Sequence, residues 1–211
     1  AVIERKSIFI CGGTGSGKTT LLNVLSNFIP ETGKIISIED SAELQVKNVK
    51  NLVRLECRIS GPEGGEINIK KLIKTALRMR PDRIIVGEVR GEEAFDLMTA
   101  MNSGHPGSLS TGHANSNSDM VRRLANMLIS ASSLPYAVVL ENIASAIDLM
   151  VHIKRSPYGR REVDEISELL LDSESRIRLK NIYRSDESKN EPESSDCEEE
   201  KRPINDTEKH I

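Results

Sequence analysis

The sequence predicts an α/β fold, a mainly parallel sheet flanked by helices, with a small antiparallel β extension at the C-terminus. Three observations carry that expectation. Short apolar runs alternate with stretches of helical periodicity through the first 147 residues. The first apolar run opens into a glycine-rich turn and then a helix. The last three apolar runs, by contrast, follow one another with only short polar turns between them, a hairpin pattern.

The elements follow in order. Ile8-Phe9-Ile10 is short and apolar and reads as a buried strand. Leu21, Leu22, Val24, Leu25, Phe28 and Ile29 recur at helical spacing. Residues 33–40 (GKIISIED) form a strand that ends in two carboxylates. Residues 51–58 (NLVRLECR) alternate, with Leu52, Arg54, Glu56 and Arg58 on one face and Val53, Leu55 and Cys57 on the other. A loop at 61–66 precedes a helix over 67–79, which Pro81 stops. Residues 83–88 (RIIVGE) are a further buried strand ending in an acid. A helix over 91–104 reaches a glycine stop, and 107–115 is a short polar strand with its loop. Ser118 is the expected cap of a helix over 118–129, and 136–147 is another apolar helix. LMVHIKR, REVDEISELL and RIRLKNIYR then make a small antiparallel sheet, with a turn at 157–159.

Gly12 to Thr19 fits G-x-x-x-x-G-K-[ST], the P-loop pattern, in the strand–loop–helix context that the motif requires. Glycines let successive backbone N–H groups converge on an anion, and the helix N-terminus adds unpaired donors. Gly13, Thr14, Gly15, Ser16, Gly17, Lys18, Thr19 and Thr20 are therefore the expected nucleotide-binding set. Within it, Lys18 reaches the β- and γ-phosphates and the Thr19 hydroxyl ligates magnesium.

Strand-end acids belong beside such a loop, because open α/β sheets bind ligands at the carboxyl ends of their strands. Glu39, Asp40 and Glu88 can thus surround one Mg–ATP, with Asp40, Glu88 and Thr19 toward the metal. His105 and His113 lie in SGHPGSLSTGHANS, without a cysteine or acid at metal-ligand spacing. A neutral imidazole there can sense or donate to the γ-phosphate. Arg54, Arg58, Arg78, Arg80, Arg83 and Arg90 cluster in the middle of the chain, where arginines can complete a site across a subunit boundary or simply make surface pairs.

Composition narrows the class. The chain has 211 residues and a net charge of −3, of which the ten acidic and five basic residues from Arg184 onward contribute −5. Residues 1–183 read as one domain, and 184–211 as an acidic, disordered tail. Aromatics make up only 3% of the chain, which disfavours a base-stacking nucleic-acid channel. There is no apolar run of membrane-spanning length, and three widely spaced cysteines (Cys11, Cys57, Cys197) form no metal or disulfide framework, in keeping with a cytoplasmic setting. Neither the guanine-reading N-K-x-D element nor an L-S-G-G-Q-like signature occurs. The abrupt start at the first core strand suggests a piece of a longer protein.

In this order the motifs resemble the secretion-ATPase superfamily of type II and type IV systems, over about residues 1–170. GGTGSGKTT matches its Walker A, SIEDSAEL (37–44) its aspartate box, RPDRIIVGEVRG (80–91) its atypical Walker B and SGHPGSLSTGHANS (103–116) its histidine box. The wording of 78–91 is most similar to the Flp/Tad-type pilus-assembly branch, with conjugation and type IV secretion ATPases next. The resemblance implies a RecA-like P-loop motor domain that uses ATP and Mg²⁺. It further implies a homo-hexamer at the cytoplasmic face of the membrane, working with inner-membrane components of a secretion or pilus machine. By motif position, Glu39 polarises water and Glu88 serves the magnesium side. His105 and His113 become γ-phosphate or interface residues, and Arg54 and Arg58 contact nucleotide at a subunit boundary. Gly112 departs from the apolar residue usual before the second histidine, the family's N-terminal domain leaves no trace, and the tail has no counterpart.

Overall fold

A computed structural model describes residues 1–58, 65–156 and 159–185. Among these residues eight strands form a single sheet: β1 (Ile8–Gly12), β2 (Lys34–Glu39), β3 (Asn51–Glu56), β4 (Arg83–Val86), β5 (Leu109–Gly112), β6 (Leu149–Arg155), β7 (Arg161–Leu171) and β8 (Ile177–Arg184). Their order is β3-β2-β4-β5-β1-β6-β7-β8. Pairing is parallel from β3 through β6 and antiparallel from β6 to β8.

The three C-terminal runs are therefore not a sheet of their own, as the sequence suggested. β6 lies parallel to β1, from Ile8↔Leu149 to Gly12↔Ile153, and carries the antiparallel hairpin as a continuation of the main sheet. β1, wholly buried, and the apolar stretches Ile84–Val86 of β4 and Leu149–Val151 of β6 belong in the middle of a sheet covered on both faces.

Alternation along each strand feeds two cores. Phe9, Cys11, Ile36, Ile38, Ile84, Val86 and Met150 point to one face, covered by α2 (Ile69–Arg78), α3 (Glu93–Asn102), α4 (Asn117–Ala131) and α5 (Tyr136–Ala146). Ile8, Ile10, Ile35, Ile85, Leu109, Val151 and Ile153 point to the other, where Leu22 of α1 (Lys18–Ser26) and the 44–49 segment pack. β3 is one of two edge strands; its Val53 and Leu55, and Cys57 just after it, turn inward while Arg54 and Glu56 stay exposed, which blunts the edge.

Helix starts show their chemistry. Asn68 caps α2 by accepting from the Lys71 N–H at 3.1 Å. α4 begins earlier than the sequence reading placed it, because Ser116, rather than Ser118, accepts from the Asp119 N–H at 3.0 Å. Asn117 is wholly buried at the α4 start, donating to Met150 O and Ser167 Oγ. The Cys11 thiol, also buried, donates to Asn117 Oδ1 at 3.3 Å, and burial pushes its pKa well above the ordinary thiol value.

Most of the expected 61–66 loop, Pro157 of the expected turn, and the expected tail beyond Ser185 lie outside the described residues. Arg184 belongs to β8, and Ser185 still bonds Asp164 through its N–H and its hydroxyl, at 2.8 and 3.0 Å. No described helix is long and apolar enough to cross a membrane.

Candidate nucleotide site

β1 delivers the chain into the glycine-rich loop at the C-terminal edge of the sheet. Gly12 is compulsory there: a Cβ would stand 2.3 Å from Ile153 O on the neighbouring strand. Gly17, at φ +102°, precedes α1 without any side-chain cap, so the first amides of the helix remain available to an anion.

The loop opens on a cavity of about 420 Å³. Thr14, Gly15, Gly17, Lys18, Thr19 and Thr20 line one side; Glu39, Asp40, Ser41, Glu43, Gly87, Glu88, Arg90, Thr111 and His113 line the rest, with Arg161 at the rim of the loop. Lys18 Nζ donates to Gly12 O and Gly13 O at 3.1 and 2.9 Å and stands 3.4 Å from His113 Nδ1. Burial lowers the Lys18 pKa, against the attraction of Glu88.

Glu88 lies just past β4 and gathers two partners. Its Oε2 accepts from Arg90 Nη2 at 2.8 Å, and His113 Nε2 lies 2.8 Å from Oε1, out of line for a hydrogen bond. Burial favours the protonated acid, but the Arg90 hydrogen bond and the charges around it prevail and hold Glu88 below the usual carboxylate range. Burial, reinforced by Lys18, lowers His113, so the imidazole is neutral at pH 7. Arg90 also reaches Asp40, at 3.6 Å.

Glu39 is buried, at 5% exposure, yet remains part of the wall. Its Oε1 accepts from the Glu43 and Leu44 amides at 3.1 and 2.9 Å, which fastens the 41–44 segment over the pocket. Burial raises its pKa, partly offset by those amides. Glu43 in turn accepts from the Thr19 hydroxyl at 3.4 Å.

These residues fit a magnesium nucleotide. Ser16 Oγ and Glu88 Oε1 are buried with no hydrogen-bond partner among the described residues. Thr19, Asp40 and Glu43 offer hard oxygen donors in the same cavity. No described cluster of three or more His, Cys, Asp or Glu side chains could hold a metal by itself. Magnesium takes only one or two protein oxygens, a demand that Thr19 and Asp40 can meet, and completes its shell with waters and phosphates.

Three expected residues lie outside this chain's own cavity; the contact expected of Arg54 and Arg58 is one across a subunit boundary. His105 sits before β5, at the opposite end of the strand from His113, with Nδ1 3.2 Å from Ala100 O. Arg54 donates to Val46 O and Arg58 to Gly65 O, both away from the cavity on the β3 side. Conversely, Glu43, Thr111 and Arg161 line the site without having been singled out. Glu43 stood inside the SIEDSAEL box and was findable there; Arg161 carried no local signal.

Comparison with known proteins identifies the family. The family model described as "Type II/IV secretion system protein" matches residues 2–199. A Mycobacterium tuberculosis protein named for conjugal transfer is 39% identical over 186 residues, covering 88% of this chain and 52% of its own. Protein VirB11 of Agrobacterium fabrum is 34% identical over 184 residues, covering 86% of this chain and 52% of that protein. The crystal structure of the VirB11 ATPase of the Brucella suis type IV secretion system superposes with a TM-score of 0.72 at 34% identity, over 80% of this chain and 49% of that one. The chain thus spans about half the length of the relatives it matches. It belongs to the type II/IV secretion system protein family.

Proposed function

We propose that this domain binds Mg–ATP in the pocket described and hydrolyses it, as the motor part of a longer protein that powers secretion or pilus assembly. The observation that carries the reading is the line Lys18–His113–Glu88, which joins the P-loop to the acid after β4. Lys18 leaves the Gly12 and Gly13 carbonyls for the phosphates when nucleotide enters. Thr19, Asp40 and Glu88 face the magnesium side; the ion, when bound, supplies positive charge that offsets charge developing on the phosphoryl group. Glu39 orients the attacking water through Oε2, because Oε1 is held by two amides. His113, neutral, reads the terminal phosphate beside Lys18.

The working assembly we infer is a homo-hexamer at the cytoplasmic face of the inner membrane, engaged with membrane components of its machine. The names of the relatives favour conjugal transfer or type IV export as the branch, beside the Flp/Tad-type wording of residues 78–91. Steady-state ATP hydrolysis measured against protein concentration, with Glu88→Gln as control, tests the reading. Activity per protein that rises with concentration and vanishes in the variant supports a motor completed between subunits. ATP binding without Glu88-dependent turnover at any concentration would reduce the chain to a nucleotide-binding assembly module.

A further inference from the structure

The pocket contains a cation that the foregoing chemistry does not use. Arg161 opens β7, yet its Nε donates to Gly15 O of the P-loop at 3.1 Å, across 146 residues of sequence. Its aliphatic stem lies over the loop as well: a Cβ at Gly17 would stand 3.3 Å from Arg161 Cδ.

The other cations of the cavity are already engaged. Lys18 is held by two loop carbonyls, and Arg90 by Glu88 and Asp40. The terminal amino groups of Arg161 make no hydrogen bond or ion pair among the described residues. Its surroundings favour an anion further. Arg161 stands directly opposite Arg155 in the β6–β7 ladder, with Arg160 adjacent, and none of the three forms an ion pair with a carboxylate among the described residues. Like charges opposite one another cost a hairpin stability. The carboxylates Glu39, Asp40, Glu43 and Glu88 sit at and beyond the ends of β2 and β4, where they suit a metal rather than a phosphate.

We propose that Arg161 is a second cationic ligand of the phosphate chain, turning its unoccupied amino groups onto non-bridging oxygens of a nucleoside di- or triphosphate held by the P-loop. The inference rests on the nucleotide reading of the pocket and extends it to a residue from the antiparallel hairpin. Guanidinium suits the task because its planar fork can grip two phosphate oxygens while Nε keeps its backbone partner.

The test is titration of the chain with fluorescent ATP and ADP analogues at several salt concentrations. Arg161→Ala, Arg161→Lys and Lys18→Ala are compared with the unmodified chain, alongside thermal melts without nucleotide. Arg161→Ala is expected to weaken both nucleotides about tenfold, with the Lys variant between. Since losing a loop contact alone could also loosen binding, salt decides. A lost ionic contact makes affinity less salt-dependent, whereas a packing role leaves the salt slope unchanged. Unaltered affinity in Arg161→Ala, or weakened affinity with the original salt slope, overturns the proposal. If the unmodified chain binds no ATP, or Lys18→Ala binds as well as it does, the nucleotide reading itself fails and this inference falls with it.

Discussion

His113 and Glu88 meet across the floor of the pocket, with Nε2 2.8 Å from Oε1, although they come from different strand ends. The pair leaves Glu88 ionised and His113 neutral, a division set by burial and by Arg90 and Lys18. Glu88→Gln keeps the shape and removes the charge. It is expected to lower ATP turnover by about a hundredfold or more while nucleotide affinity changes little. Phosphate-release assays beside binding titrations separate the two.

Glu39 holds the 41–44 segment with one oxygen, and its other oxygen makes no hydrogen bond among the described residues. Gln at this position retains an oxygen for the Glu43 and Leu44 amides but cannot accept a proton from water. Glu39→Gln should therefore melt near the parent temperature and turn over about a hundredfold more slowly. Glu39→Ala strands one buried and one part-buried amide and should cost about 2–4 kcal/mol. Urea unfolding of both variants, with hydrolysis assays, distinguishes a water-orienting acid from a purely structural one: equal activity in Glu39→Gln and the parent would leave only the structural role.

Gly12→Ala places a methyl group into the Ile153 carbonyl of β6. Backbone on both sides cannot give way as a flexible side chain would. A loss of about 2–4 kcal/mol is expected in urea unfolding, together with weakened nucleotide binding.

Asp164 and Asp172 are both held at about 2, and Asp164 is partly buried, so its titration should be visible in stability. Burial works against its ionisation, but hydrogen bonds from Lys154, His152 and Ser185 prevail and hold it at about 2. A depressed carboxylate contributes stability that is fully present above its unfolded value, about 4, and is lost as the pH falls through the folded one. Solvent screening limits the effect to roughly 1 kcal/mol. Melting temperatures recorded from about pH 5 down to about pH 2 should show this step, and Asp164→Asn should flatten it.

The sequence made the strands and helices readable because each carries its own period, and the P-loop because its chemistry is contiguous. The two histidines show where that stops. His105 and His113 sit in one quoted box, but β5 (Leu109–Gly112) runs between them, so they emerge at opposite ends of a strand and only His113 meets Lys18. Ser116 was readable as the α4 cap from Asp119 three positions on, a spacing that Ser118 lacks. Arg161 was not readable at all. Its place beside Gly15 depends on β6 pairing with β1, a long-range choice made by burial of the whole sheet.

The buried Cys11 thiol has a practical consequence. It lies in the strand that leads into the P-loop, fastened to Asn117 and held protonated by its surroundings. Only the thiolate attacks alkylating reagents, so Cys11 stays silent while β1 and the start of α4 remain together. Each molecule it reacts in has therefore opened that seam, and the labelling rate of this single sulfur, followed by peptide mass, is a clock for breathing of the nucleotide strand. ATP that grips the loop should slow the clock.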